Sequence, residues 1–244
     1  YKSVKTPLPF EKIKGIKNMK KFIKYLLLAA ISLFIIYSIL IRQPLFQDKI
    51  LETAINKMAT PMSYLPEEDS LTAVVCGSRA PINDPNRAEA CILIQAGDKI
   101  FIFDTGDGSI QNLNNWNTPW DRVEGVFYTH LHSDHISDIG ELHMDTWIGG
   151  QRDSKLKVYG PEGVQMLTDG TELAYTKDYI FRNEHHGDEL APLDVVGFDT
   201  QTVDLDNPIL IDNGDLKITA YSVSHDPVDP ALGYRIDYKG RSVS

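Results

Sequence analysis

The segment Thr129-His130-Leu131-His132-Ser133-Asp134-His135 places three imidazoles and a carboxylate within six residues. Imidazole nitrogen and carboxylate oxygen are donors that Zn²⁺ accepts readily, provided several converge on one point. The preceding run, Val123-Glu124-Gly125-Val126-Phe127-Tyr128, reads as a strand. In an extended chain, residues two apart point the same way, so His130 and His132 can reach one ion together. Asp134 and His135 are adjacent and face differently, which suits a second ion beside the first. Paired ions can clamp and activate a water. The bland alternative is a His-rich surface turn. Four of the seven histidines lie between His130 and His143, which weighs against it. His143, in a presumed helix beyond the motif, is read as structural.

Phe127-Tyr128-Thr129-His130-x-His132-x-Asp134-His135 resembles the metal-binding signature of the metallo-β-lactamase superfamily. The similarity extends over roughly Leu71 to Ser244. Cys76-Gly77-Ser78-Arg79-Ala80-Pro81 and Asp84-Pro85-Asn86-Arg87-Ala88 resemble the first strand and loop of the ribonuclease Z and arylsulfatase-like branch. Phe103-Asp104-Thr105-Gly106-Asp107-Gly108 resembles its glycine-rich turn. Trp147-Ile148-Gly149-Gly150, Val158-Tyr159-Gly160-Pro161-Glu162-Gly163, His185-His186-Gly187 and Ser224-His225-Asp226-Pro227 also fit.

The resemblance implies an α/β, metallo-β-lactamase-like αββα four-layer sandwich, two sheets with helices on both outer faces. It implies that His130, His132 and His225 hold one zinc and that Asp134 and His135 help hold a second. Asp134 would also orient or deprotonate the attacking water. Asp104 is read either as support for the ligand loop or as a turn-capping residue. His185 and His186 either face the substrate, as the branch pattern implies, or form a surface loop pair. The family pattern continues beyond a strand like 240–244 into a Gly-Asp-Thr-type turn and a later His, which complete the second site. The sequence stops before both and is read as a fragment, incomplete at its C-terminus. Such a fragment is expected to bind zinc poorly and turn over little.

These residues need elements to position them. Leu71–Val75, Ala90–Gln95 and Lys99–Phe103 are short apolar runs separated by Gly, Pro and Asn clusters, the pattern of strands. Ala96-Gly97-Asp98 reads as a hairpin turn. Ser137–Ile148 suits a helix, Lys155–Tyr159 a strand, and Pro161–Leu167 the start of another helix. Leu216–Ser224 and Gly233–Tyr238 read as strands, with His225 at the end of the first, before a Pro-rich loop. Strands interleaved with helices favour α/β layering. Cys76 and Cys91 lie in neighbouring strand-like runs and are read as small core residues, with a disulfide as the alternative in an oxidising compartment. Trp116, Trp120 and Trp147 are read as core or rim packing.

Residues 25–41 hold no charge, and with Phe22 and Ile23 the run is long enough to span a bilayer. Lys20, Lys21 and Lys24 precede it and Arg42 follows, so the positive-inside bias puts the domain outside the cytoplasm. The division expected is residues 1–18 as an upstream extension, 19–42 as a signal anchor, 43–70 as a linker with a short amphipathic helix, and 71–244 as a hydrolase domain. The membrane contact runs through residues 22–41. Residues 1–41 hold eight Lys and one acid, Glu11, which leaves the rest at a net charge of −17. That field repels polyanions and makes nucleic acid an unfavoured partner.

The leading expectation is therefore an extracytoplasmic zinc hydrolase of a small phosphodiester or sulfate ester, with a homodimer open. A ribonuclease Z-like tRNA 3′-end endonuclease is the alternative. A metal-poor, non-catalytic binding protein is the second alternative.

Overall fold

Two apolar cores explain why the strand-forming runs are continuously apolar rather than alternating with polar residues. In the computed structural model, Cys91, Leu93, Ile100, Ile102, Val126, Leu156 and Val158 face one core, and their neighbours Ile94, Ala96, Phe101, Phe103, Phe127 and Tyr159 face the other. Successive side chains of a strand point to opposite faces, so a sheet covered on both sides is apolar at every position. The structure describes residues 10–40, 42–43, 47, 49, 64–66, 69–82 and 84–244. The chain divides into two compact units, residues 1–60 and 61–244.

The second unit contains both sheets. Strands β1 (Leu71–Gly77), β2 (Cys91–Ala96), β3 (Lys99–Phe103), β4 (Val123–Phe127), β5 (Leu156–Gly160) and β6 (Phe198–Thr202) form a six-stranded sheet in that order. The β1–β2 and β2–β3 pairs are antiparallel, and β3 to β6 run parallel. The β2–β3 turn falls at Gly97-Asp98 as expected, with Gly97 at φ +64°, a backbone conformation that costs glycine little. Strands β7 (Ile209–Asp212), β8 (Leu216–His225), β9 (Val228–Tyr238) and β10 (Arg241–Val243) form an antiparallel sheet ordered β10-β9-β8-β7.

On one face of the large sheet lie the helical segments α2 (Ser109–Asn115), α3 (Ser133–Ile136), α4 (Ile139–Met144) and α5 (Val164–His186). Ile110, Leu113, Ile139, Leu142 and Val164 bring them into the first core. The small sheet covers the other face through Leu216, Ile218, Leu232, Tyr234 and Ile236. The described residues thus build three layers, α/β/β, of the four expected. The outward positions Lys217, Arg235 and Asp237 on the small sheet are charged, and Arg235 pairs with Asp237 at 2.6 Å. An antiparallel sheet tolerates such a solvated face.

Several boundaries differ from expectation. Helix α1 (Phe10–Leu40) starts nine residues before Met19, inside the segment set aside as an extension. By length and composition it is apolar enough to cross a membrane over Lys21–Ser38, at a mean hydropathy of 1.7. The amphipathic helix and linker expected within residues 43–70 fall largely outside the described residues. The helix expected over 137–148 breaks into α4 and a π-helical turn, Asp145–Gly149. Strand β9 begins at Val228, inside the stretch read as a Pro-rich loop, and β8 turns directly into it. Cys76 and Cys91 form a disulfide, Cα–Cα 5.0 Å, which corrects their reading as free core residues. Antiparallel β1–β2 pairing brings them together, since Cys91 lies opposite Gly77 across a bulge. Trp147 is fully buried and Trp116 and Trp120 pack against the first core, as expected.

Candidate metal centre

Parallel pairing of β3 and β4 aligns Phe103 with Phe127, so the chain leaves both strands at one edge. Asp104 follows the first strand and Thr129-His130 the second. The C-terminal edge of parallel strands is where α/β sheets gather ligand-binding loops. The small sheet reaches the same place. The backbone N–H of Leu232 donates to the Thr129 carbonyl at 2.8 Å, and the Tyr234 hydroxyl donates to the Tyr128 carbonyl at 2.7 Å. His225 ends β8 beside them.

His130, His132 and His225 converge, each offering a nitrogen within 4.8 Å of the others. His130 Nε2 lies 3.0 Å from His132 Nδ1, and its ring centre lies 4.6 Å from that of His225. Three nitrogens at this spacing fit a tetrahedral ion with one position left for water or substrate. Burial, followed by the nearby His135, pushes His130 down to about 4, so its ring is neutral at physiological pH and has a lone pair to give. The fit therefore rests on the donor set itself.

Asp134 and His135 lie beside this cluster on α3, with His135 Nε2 at 3.7 Å from Asp134 Oδ2. His135 Nδ1 sits 2.8 Å from Asp104 Oδ2. Burial of His135 disfavours its charged form, but the Asp104 hydrogen bond and charge outweigh this and raise its pKa. Asp104 is itself buried, and its Oδ1 accepts the Thr129 backbone N–H at 2.8 Å. Of the two readings of Asp104, support of the ligand loop is the one the contacts favour. It holds a candidate ligand by the ring nitrogen that faces away from the site.

A cleft of about 740 Å³ opens over these groups. Val75, Pro81, Ile92 and Phe103 give it an apolar wall, and Arg79 stands at its side, held by Glu89 and Asp107 at 3.1 Å each.

The remaining candidates lie elsewhere. His185 and His186 close the last turn of α5, which corrects their reading as a loop pair. A Cβ on Gly163, where α5 begins, would sit 3.1 Å from Leu131, between His130 and His132. At a rise of 1.5 Å per residue, the two histidines lie roughly 30 Å further along the helix, out of reach of the cleft. His143 is fully buried, as a structural residue should be. Its Nε2 accepts from the Gly197 backbone N–H at 2.8 Å and meets Arg152 at 2.9 Å. Sequence reasoning gave no role to Thr129, Leu232 or Tyr234. Only the hydroxyl residue next to His130 left a local signal, since the other contacts join distant segments.

The sequence model of the metallo-beta-lactamase superfamily matches residues 85–243. Ribonuclease Z of Mycobacterium avium is 33% identical over 175 residues, covering 71% of this chain and 61% of that protein. Ribonuclease Z of Mycobacterium marinum is 31% identical over 170 residues, 68% of this chain and 58% of that protein. The chain thus spans about three-fifths of the length of these relatives. The crystal structure of human tRNase Z, short form, superposes with a TM-score of 0.50 at 20% identity, over 70% of this chain and 66% of that one, a likeness of fold.

Proposed function

The chain belongs to the metallo-β-lactamase superfamily, and from that premise we propose that residues 61–244 form the metal-binding part of a hydrolase that cleaves phosphodiester bonds, RNA first among them. The convergence of His130, His132 and His225 is the observation that supports this reading most. Zinc is the metal this donor set suits. Bound there, it would lower the pKa of a water toward ~7 and stabilise negative charge developing on the substrate.

The protein's own residues supply the rest. His130, His132 and His225 would hold the first ion, and Asp134 and His135 would contribute to a second. Asp134 orients the attacking water and takes its proton. Asp104 fixes His135, and the apolar wall of Val75, Ile92 and Phe103 limits bulk water beside the reacting bond. The expectation of poor zinc binding does not extend to the first site, because its three imidazoles are all assembled.

RNA is placed first because the curated relatives are ribonucleases Z. The charge argument against nucleic acid yields to that likeness. A net negative surface weakens long-range attraction but does not prevent a local contact at the cleft.

A second reading is a small phosphodiester or sulfate ester hydrolysed outside the cytoplasm. Two observations favour it, the apolar helix over Lys21–Ser38 and the Cys76–Cys91 disulfide, a bond typical of oxidising compartments. In that reading α1 anchors the protein in the membrane.

The test is hydrolysis of precursor tRNA, bis-p-nitrophenyl phosphate and p-nitrophenyl sulfate by the zinc-loaded chain, with and without chelator. Slow, chelator-sensitive cleavage of precursor tRNA at its 3′ side is expected. Cleavage of the small esters alone would favour the second reading. Chelator-insensitive or undetectable cleavage of all three would contradict the hydrolase.

A further inference from the structure

Thr129 lies between the two halves of the candidate centre. Its Oγ1 donates to Asp104 Oδ2 at 2.8 Å, and the same Oγ1 lies 3.0 Å from His130 Nδ1. Asp104 Oδ2 also meets His135 Nδ1 at 2.8 Å, and a longer 3.4 Å contact joins Thr129 Oγ1 to His135 Nδ1 directly. We propose that Thr129 is a positioning residue that couples the two halves, by a hydrogen-bond relay running from His130 through Thr129 and Asp104 to His135. The proposal rests on the reading of the cleft as a metal centre.

Proton counting sets the direction of each bond. A hydroxyl has one hydrogen, and Thr129 gives it to the carboxylate. Toward His130 the same oxygen can only accept, so the His130 proton sits on Nδ1. A carboxylate also accepts, so the His135 proton sits on Nδ1 as well. Both rings are thereby fixed in one tautomer, with Nε2 free. His130 Nε2 then faces His132 Nδ1 at 3.0 Å, and His135 Nε2 faces Asp134 Oδ2 at 3.7 Å. One carboxylate and one hydroxyl therefore aim a ring at each half of the centre.

Hydrogen bonds in such a chain polarise one another. An ion drawing density from His130 strengthens its Nδ1–H as a donor to Thr129, which strengthens the bond from Thr129 to Asp104. That alters the acceptor His135 depends on. By linkage, whatever one half does to the affinity of the other is returned in equal measure.

The experiment measures Zn²⁺ affinity of the full chain by competition with a coloured chelator, with Co²⁺ absorption reporting ligand geometry. Thr129→Val should weaken Zn²⁺ at the three-histidine cluster by about 10-fold or more, the usual effect of losing an outer-sphere partner. It should also shift the Co²⁺ bands. Thr129→Ser keeps the hydroxyl and should restore both. Asp104→Asn should weaken Zn²⁺ in the unmodified background and clearly less in the Thr129→Val background, where only the backbone N–H of residue 129 still joins Asp104 to the His130 loop. Additive effects, or a Thr129→Val affinity equal to that of the unmodified chain, would overturn the relay.

Nitrogen NMR of the histidine rings in the metal-free, unmodified chain gives a check that needs no variant. Nδ1–H on both His130 and His135 supports the relay, and an unprotonated Nδ1 on either overturns it. If the unmodified chain takes up no Zn²⁺, the metal-centre reading fails and the relay with it. If it takes up Zn²⁺ and Thr129→Val changes nothing, only the relay fails.

Discussion

Asp104 holds a left-handed backbone at φ +61°, a conformation that L side chains seldom adopt outside turns and sites. In that pose its two oxygens reach Thr129 and His135. The residues after it have to fit around the motif. The Thr105 backbone N–H donates to the His135 carbonyl at 2.7 Å. A Cβ on Gly106 would stand 2.1 Å from the Asp134 carbonyl oxygen and 2.7 Å from the Ala90 nitrogen. Both are backbone atoms, so no side chain can yield to make room. Gly106→Ala is therefore expected to destabilise the metal-free chain by about 2–3 kcal/mol, read from urea unfolding. It should also weaken zinc binding, since α3 is pushed away from His130. A stability within about 0.5 kcal/mol of the unmodified chain, the range of ordinary surface changes, would refute this packing. At this scale the sequence was informative wherever ligands lie close together. His130, His132, Asp134 and His135 announce themselves within six residues. Thr129 needed the structure, because a hydroxyl residue at a strand end is commonplace until its partners are known.

Among the elements, β1 and β2 hold the loop that flanks the cleft. The disulfide closes a sequence separation of 15 residues at the foot of that loop. Replacing both cysteines by serine should cost about 3 kcal/mol in the loop-entropy view. The check is the urea midpoint of the double variant against that of the oxidised protein, and equal midpoints would show that the bridge does not constrain the unfolded chain. A second device pins α4 to the strand edge. Burial, followed by the Arg152 charge, holds His143 down to about 3, so the folded protein keeps it neutral as an acceptor for Gly197. The unfolded chain binds that proton near pH 6.5, so this contribution is complete above 6.5 and is lost as pH falls toward 3. Asp138 and Asp145, raised by burial to about 6, act in the opposite sense between pH 6 and 4. Comparison with His143→Gln removes their effect. The unmodified protein should lose stability relative to that variant by up to about 1.4 kcal/mol per pH unit below 6.5. A difference independent of pH would contradict a neutral His143. The strands were legible because both faces of the large sheet are buried. Of helix α5 only the start was, since Thr168-Asp169-Gly170-Thr171-Glu172 offers no apolar stripe and few of its residues are buried. Strand β6 was missed for a similar reason, because Phe198-Asp199-Thr200-Gln201-Thr202 has one large apolar residue and pairs at the sheet edge.

For the whole molecule, the superfamily was legible and the layering only partly so. The motif string fixes the ligand-bearing edge, while the number of helical layers depends on segments whose apolar patterning is weak. The proposed compartment and the charge argument rest on long-range features, an apolar helix and a net charge of −10, that do not touch the chemistry. Those features and the likeness to ribonucleases Z point to different substrates, and both depend on one metal centre. That candidate centre draws His130 and His132 from the edge of the large sheet and His225 from the small one, so it would form only when the two sheets pack. The direct measurement is zinc content per chain after dialysis, for the unmodified protein and for His130→Ala and His225→Ala. About one tightly held zinc is expected in the unmodified chain, as three imidazoles and a water satisfy a tetrahedral ion. Loss of that zinc is expected in either variant, although the two histidines lie in different sheets. An unmodified chain without zinc, or a His225→Ala variant that retains it, would contradict the account.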